Sequence, residues 1–180
     1  MDIVLVVLVT ACGVTDIFFN RIYNQVTYAA IVSAWLVAWL GYGAETLGGL
    51  QVDLSTSLLG FLMGFVPFFL VYLIGGIGGG DVKLMGAIGA IKGASFVAYT
   101  MLYSLFLGAL FGVIVAAWRG QLMPILKRVW YTIVHTLSPG MGPTSYLDPQ
   151  GPKVNFGLAI CFGTLLCLVG QTLKRQLLDF

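Results

Sequence analysis

The chain has 180 residues, 59% of them hydrophobic and 9% charged, with a mean hydropathy of +0.97, where a soluble domain carries about 25% charged residues. That composition excludes a large soluble domain, and a net charge of +2 leaves no basic footprint for nucleic acid. At about 20 residues per crossing there is room for about six spans and one modest polar segment, so the expected fold is all-α, a polytopic membrane helix bundle forming one domain over residues 1–180.

The apolar stretch 1–19 carries Asp2 and Asp16 and reads as the first span. A polar link containing Arg21 and Asn24 leads into a second apolar run, 26–42. Segment 43–57 collects Gly43, Gly48 and Gly49 with Glu45, Gln51 and Asp53 and no basic residue, the pattern of an external loop. Span three is 58–74, with a bend expected where Pro67 removes a backbone donor. Gly75, Gly76, Gly78, Gly79 and Gly80 then break the chain just before Asp81. The glycine-broken fourth helix, 81–91, is short: about 11 residues rise only about 16 Å, a partial crossing. Lys92 and Gly93 link it to a long apolar run, 94–118.

Residues 119–155 are the longest polar stretch and read as a cytoplasmic loop. Within it, 122–137 alternates apolar and basic residues as an amphipathic helix at the membrane surface does. The last span is 155–173, flanked by Lys174 and Arg175. With the N-terminus outside, Arg21, Lys83, Arg119, Lys127, Arg128 and Lys153 fall on the inner face and Lys92, Lys174 and Arg175 outside, in keeping with the positive-inside rule. Asp16 and Asp81 then meet at the cytoplasmic side.

Cys12, Cys161 and Cys167 stand apart inside apolar runs, with no CxxC pair and a single histidine, His135, so neither zinc nor disulfides are expected. The stretch ending at Cys12 superficially resembles a lipoprotein signal, but Asp2 stands where such a signal carries basic residues.

An ionisable side chain at membrane depth is unfavourable by about 2.5 to 3.5 kcal/mol at mid-bilayer, so it generally has a partner or a task. Asp16, near one end of the first span, and Asp81, at the head of the fourth helix, are the two candidates. Two carboxylates held together in a partly desolvated site cannot both ionise easily and share a proton. This is the chemistry of an aspartic protease: one carboxylate activates water, and its protonated partner donates to the developing oxyanion and the leaving amine. It requires no cofactor and no metal. Taken singly, each has a structural explanation, Asp81 as a helix N-cap and Asp16 as an acid reaching water from the end of a span. Gly78 and Gly80 give the backbone freedom and close approach that an extended substrate needs. Lys83 and Arg21 read first as interfacial anchors, with Asn24 beside them, and as site-shaping groups second. The small residues Gly86, Ala87, Gly89 and Ala90 favour close helix packing.

Gly78-Gly79-Gly80-Asp81 is a GxGD motif, and residues 78–84 resemble the second catalytic motif of type IV prepilin peptidases. Asp16 followed by Arg21, Ile22 and Asn24 is similar to the first motif, with Tyr23 in the place of the usual proline. Residues 153–157, ending in Phe156 and Gly157, resemble the family's Pro-Phe-Gly or Pro-Tyr-Gly start of the last span, with Asn155 in the proline position. The resemblance implies an aspartic endopeptidase of the inner membrane that removes the short basic leader of a prepilin-like or preflagellin-like substrate at the cytoplasmic face. It implies Asp16 and Asp81 as catalytic residues and a pilus assembly or secretion machinery as partner. Larger members carry paired CxxC motifs associated with methylation; the lack of such a pair implies the peptidase-only branch serving tight-adherence pili or archaeal preflagellins. The rival reading from another class is a small proton- or cation-coupled transporter using Asp16 and Asp81 near a broken helix; it predicts a second, matching glycine break, and the sequence has one.

Overall fold

The computed structural model describes residues 2–19, 21–45, 51–120, 123, 124, 127, 130 and 156–178. Among them the fold is helical, with one isolated bridge between Glu45 and Gln51. The helices are α1 (Asp2–Phe19), α2 (Asn24–Trp39), α3 (Leu54–Leu73), α4 (Gly79–Lys92), α5 (Ala94–Trp118) and α6 (Phe156–Leu178). By length and composition α1, α3, α5 and α6 can each cross a membrane. At 16 and 14 residues, α2 and α4 rise only about 24 and 21 Å. The chain is thus a helical membrane bundle in which two of the expected crossings are short. The surface helix expected over 122–137, and the loop 119–155 around it, lie almost wholly outside the described residues.

The chain divides into two compact units, Met1–Gly108 with Asn155–Phe180, and Ala109–Val154. The second begins within α5, and its described apolar side chains Val113, Ile114 and Trp118 are exposed, as suits contact with lipid. All the residues of the candidate site belong to the first.

In that first unit, α1 buries Leu5, Leu8, Val9, Cys12 and Asp16, a stripe at three- and four-residue spacing, and turns Ile3, Val4, Val7, Val14 and Phe18 outward. Asp16 therefore continues the inward stripe of its helix. In α3 the inward stripe is Ser57, Gly60, Gly64 and Phe68, and the helix continues through Pro67. It begins four residues before the expected span because Asp53 caps it, accepting from the Thr56 N–H at 2.9 Å and the Ser55 hydroxyl at 2.7 Å. Those hydrogen bonds hold the Asp53 carboxyl down at about 2.

Helix α4 is buried on all sides from Leu84 to Lys92. Its closest neighbour is α3, where Gly60 faces Gly89 backbone to backbone, Gly64 faces the Met85 carbonyl, and the ring of Phe61 covers Gly86. A side chain at Gly60 or Gly89 would enter the opposing backbone, so the small residues on both helices permit this approach. The Ser57 hydroxyl adds a bond across it to the Ala90 carbonyl. The helix ends at Gly93, whose φ of 83° and ψ of 175° lie in a region that glycine alone adopts readily. While α4 leans chiefly on α3 and α2, α1 packs chiefly on α6.

Candidate active site

The link between α1 and α2 and the link between α3 and α4 converge on one cleft of about 430 Å³. Asp16 enters it from α1 and Asp81 from α4; residues 21–24 and the glycines 78–80 complete its wall. Both acids belong to the inward faces of their helices, at 8% and 7% exposure, so neither simply reaches outward to solvent. The two carboxylates line the same cleft.

Asp81 occupies the third position of α4, and Gly78, not Asp81, is the N-cap. The Asp81 carboxylate reaches back to accept from the Gly78 N–H at 3.2 Å, while its own N–H donates to the Gly78 carbonyl at 3.1 Å. The helix thereby fixes the direction of the acid, and its N-terminal dipole favours negative charge there. In the glycine cluster, only Gly75 has a positive φ, 84°. Gly80 serves by its lack of a side chain: a Cβ there would stand 2.8 Å from Ile22 Cβ, so glycine lets the α1–α2 link close over the head of α4. The approach at Gly80 is thus by the Ile22 side chain of the same chain.

Asp16 is held from a third helix. The backbone N–H groups of Gly157 and Leu158, in the first turn of α6, hydrogen-bond its carboxylate. Free N–H groups at a helix N-terminus are a natural anion cradle. A Cβ at Gly157 would meet Asp16 Oδ2 at 2.8 Å, so only glycine leaves room for the acid.

The remaining candidates divide. Lys83 Nζ donates to Asn24 Oδ1 at 2.9 Å and lies 4.9 Å from the centre of the Tyr28 ring, so Lys83 and Asn24 join α4 to α2 beside the cleft. Arg21 is exposed on the cleft wall. Gly157 belongs to a motif visible in the sequence but has no place at the site on sequence grounds; the signal was its position in the start of the last span. Lys92, read from sequence as one charge of a polar link, is instead 1% exposed and sits at the end of α4 away from Asp81.

The fold and cleft define a polytopic helical membrane protein with two carboxylates from different helices facing one cavity. The chain belongs to the type IV leader peptidase family, whose model matches residues 3–113 and so includes both Asp16 and Asp81. It is similar to the prepilin leader peptidase/N-methyltransferase of Bacillus subtilis (strain 168), 32% identical over 114 residues, 61% of this chain. That match spans 42% of the relative's length. No solved structure matches the chain significantly.

Proposed function

We propose that the chain, as one membrane peptidase domain over residues 1–180, is an aspartic endopeptidase of the GxGD type. It cuts the short basic leader from a prepilin-like or preflagellin-like protein at the cytoplasmic face of the inner membrane. The observation that carries this reading is the convergence of Asp16 and Asp81 on a single cleft, together with membership of a leader peptidase family. In this mechanism the ionised carboxylate takes a proton from water as the water oxygen attacks the scissile carbonyl. Its protonated partner donates to the developing oxyanion, and a proton then passes to the leaving amine. Gly157 and Leu158 N–H hold Asp16, and Gly78 N–H holds Asp81, so that neither acid must reorganise when substrate arrives. The open wall formed by residues 21–24 and 78–80 receives the extended segment ahead of the substrate's hydrophobic helix. Arg21, exposed on that wall, meets the substrate there, with Lys83 held beside the cleft by Asn24.

Co-expression with a prepilin-type substrate tests the reading, with leader loss followed by gel shift. Cleavage is expected from the native chain and from neither Asp16→Asn nor Asp81→Asn, both of which still insert in the membrane. Cleavage at native rate by either variant overturns the dyad.

A further inference from the structure

The two carboxylates sit on helices that have little direct contact. Asp81 rides on α4, which is packed into α2 and α3, and Asp16 rides on α1, which is packed onto α6. Side-chain packing between α1 and α4 is therefore too sparse to set the register between the acids. At the end of α4 remote from the cleft, Lys92 is 1% exposed, and its ammonium pairs with Asp2 Oδ1 at 2.7 Å. The same ammonium donates to Gln171 Oε1 on α6 at 3.2 Å and to the Glu45 carbonyl after α2 at 3.4 Å, and lies 5.4 Å from the centre of the Phe96 ring.

We infer that Lys92 is a register pin, joining the α2–α3–α4 group to the α1–α6 pair so that Asp16 and Asp81 arrive at one depth. Asp2 lies 14 residues before Asp16 on α1, and Lys92 lies 11 residues after Asp81 on α4. These are about 21 and 16 Å of helix, so the two helices run antiparallel, tied at one end by the ion pair and meeting at the other in the cleft. A cation at the C-terminus of α4 also complements the negative end of that helix. A buried ammonium deprived of its partner carries an uncompensated charge, so α4 must shift to find another or let water in. A displacement of about 1 Å at the far end is enough to lower turnover by about 100-fold. Lys92 and Asp2 are positioning residues; they touch no substrate. The inference deepens the dyad reading above, and its first test needs no catalysis.

In a chain with Cys12, Cys161 and Cys167 replaced by alanine, Asp16→Cys and Asp81→Cys are introduced, and copper phenanthroline oxidises the pair to a disulfide. Loss of labelling by maleimide-polyethylene glycol follows the rate. Adding Asp2→Asn, which leaves α4 intact and alters a half-exposed residue, slows the cross-link severalfold; Lys92→Met slows it at least as much. An unchanged rate in Asp2→Asn overturns the pin, whatever Lys92→Met does. In the chain with its native acids and cysteines, Asp2→Asn lowers kcat with KM unchanged, the signature of a misplaced catalytic group. A chain that cross-links as described yet cuts no prepilin-type substrate keeps the pin and defeats the peptidase reading.

Discussion

Gly157 stands directly against Asp16: a Cβ on the glycine would lie 2.8 Å from Oδ2 of the acid, while the N–H groups of Gly157 and Leu158 hold that carboxylate. The last helix of the chain thus backs the first acid of the site. Gly157→Ala is expected to push Asp16 off its cradle and to lower cleavage by about 100-fold. Gly170→Ala, on the same helix with nothing within 4 Å, keeps native cleavage and gains about 0.5 to 1 kcal/mol of stability. Initial rates in membranes and thermal unfolding in detergent separate the two.

Close packing of α3 on α4 makes a second expectation. Gly60→Leu must force apart backbones already in contact, and overpacking of this kind is destabilising by about 1 to 3 kcal/mol or more. Gly112→Leu, facing open space on α5, is close to neutral. Thermal aggregation of the detergent-solubilised protein measures the difference; equal midpoints for the two variants would contradict the packing described.

Lys83 and Asn24 join α4 to α2 beside the cleft, across 59 positions of sequence. As a partly exposed contact it contributes about 0.5 kcal/mol to stability, so Lys83→Met leaves the protein folded. KM for a prepilin-type substrate rises, and Asn24→Ala added to Lys83→Met raises it little further. A double-mutant cycle on KM checks this, and additive effects would show that the two side chains act separately.

Protonation of the α3 cap provides a pH-dependent signal away from the cleft. The folded-state carboxyl of Asp53, at about 2, lies below its ordinary 3.8, so its contribution is present above the ordinary value and is lost as pH falls through about 2. The Thr56 amide resonance, whose N–H donates to Asp53, titrates with a midpoint near that value in detergent-solubilised protein; a midpoint near 4 would remove the cap.

Much of this arrangement is legible in the chain of letters, and the reasons differ by element. The run 94–118 is apolar throughout and bounded by Gly93 and Arg119, so both of its ends coincide with those of α5. Asp81 and its glycines announce a broken helix, but the cap falls at Gly78, because a carboxylate three residues into a helix can reach back to the N-cap N–H. The start of α3 was hidden since Asp53 reads equally as a loop acid or as a cap, and only the Thr56 and Ser55 bonds decide. Pairing of distant residues left no local trace: that Gly157 meets Asp16 and Lys92 meets Asp2 depends on how three helices associate, and hydropathy carries no such information.

The enclosure of α4 from Leu84 to Lys92 bears on how the chain enters a bilayer. Its 14 residues carry Asp81, Lys83 and Lys92, and each charge opposes insertion of an isolated segment into lipid. Such a segment cannot partition into lipid by its own composition. The backbone surface laid bare by Gly60 and Gly64 on α3 is what admits it, so α3 must already be in place when α4 arrives. Insertion of a reporter fusion ending just past Gly93 is therefore expected to fail when α3 carries Gly60→Leu, although α3 itself still crosses.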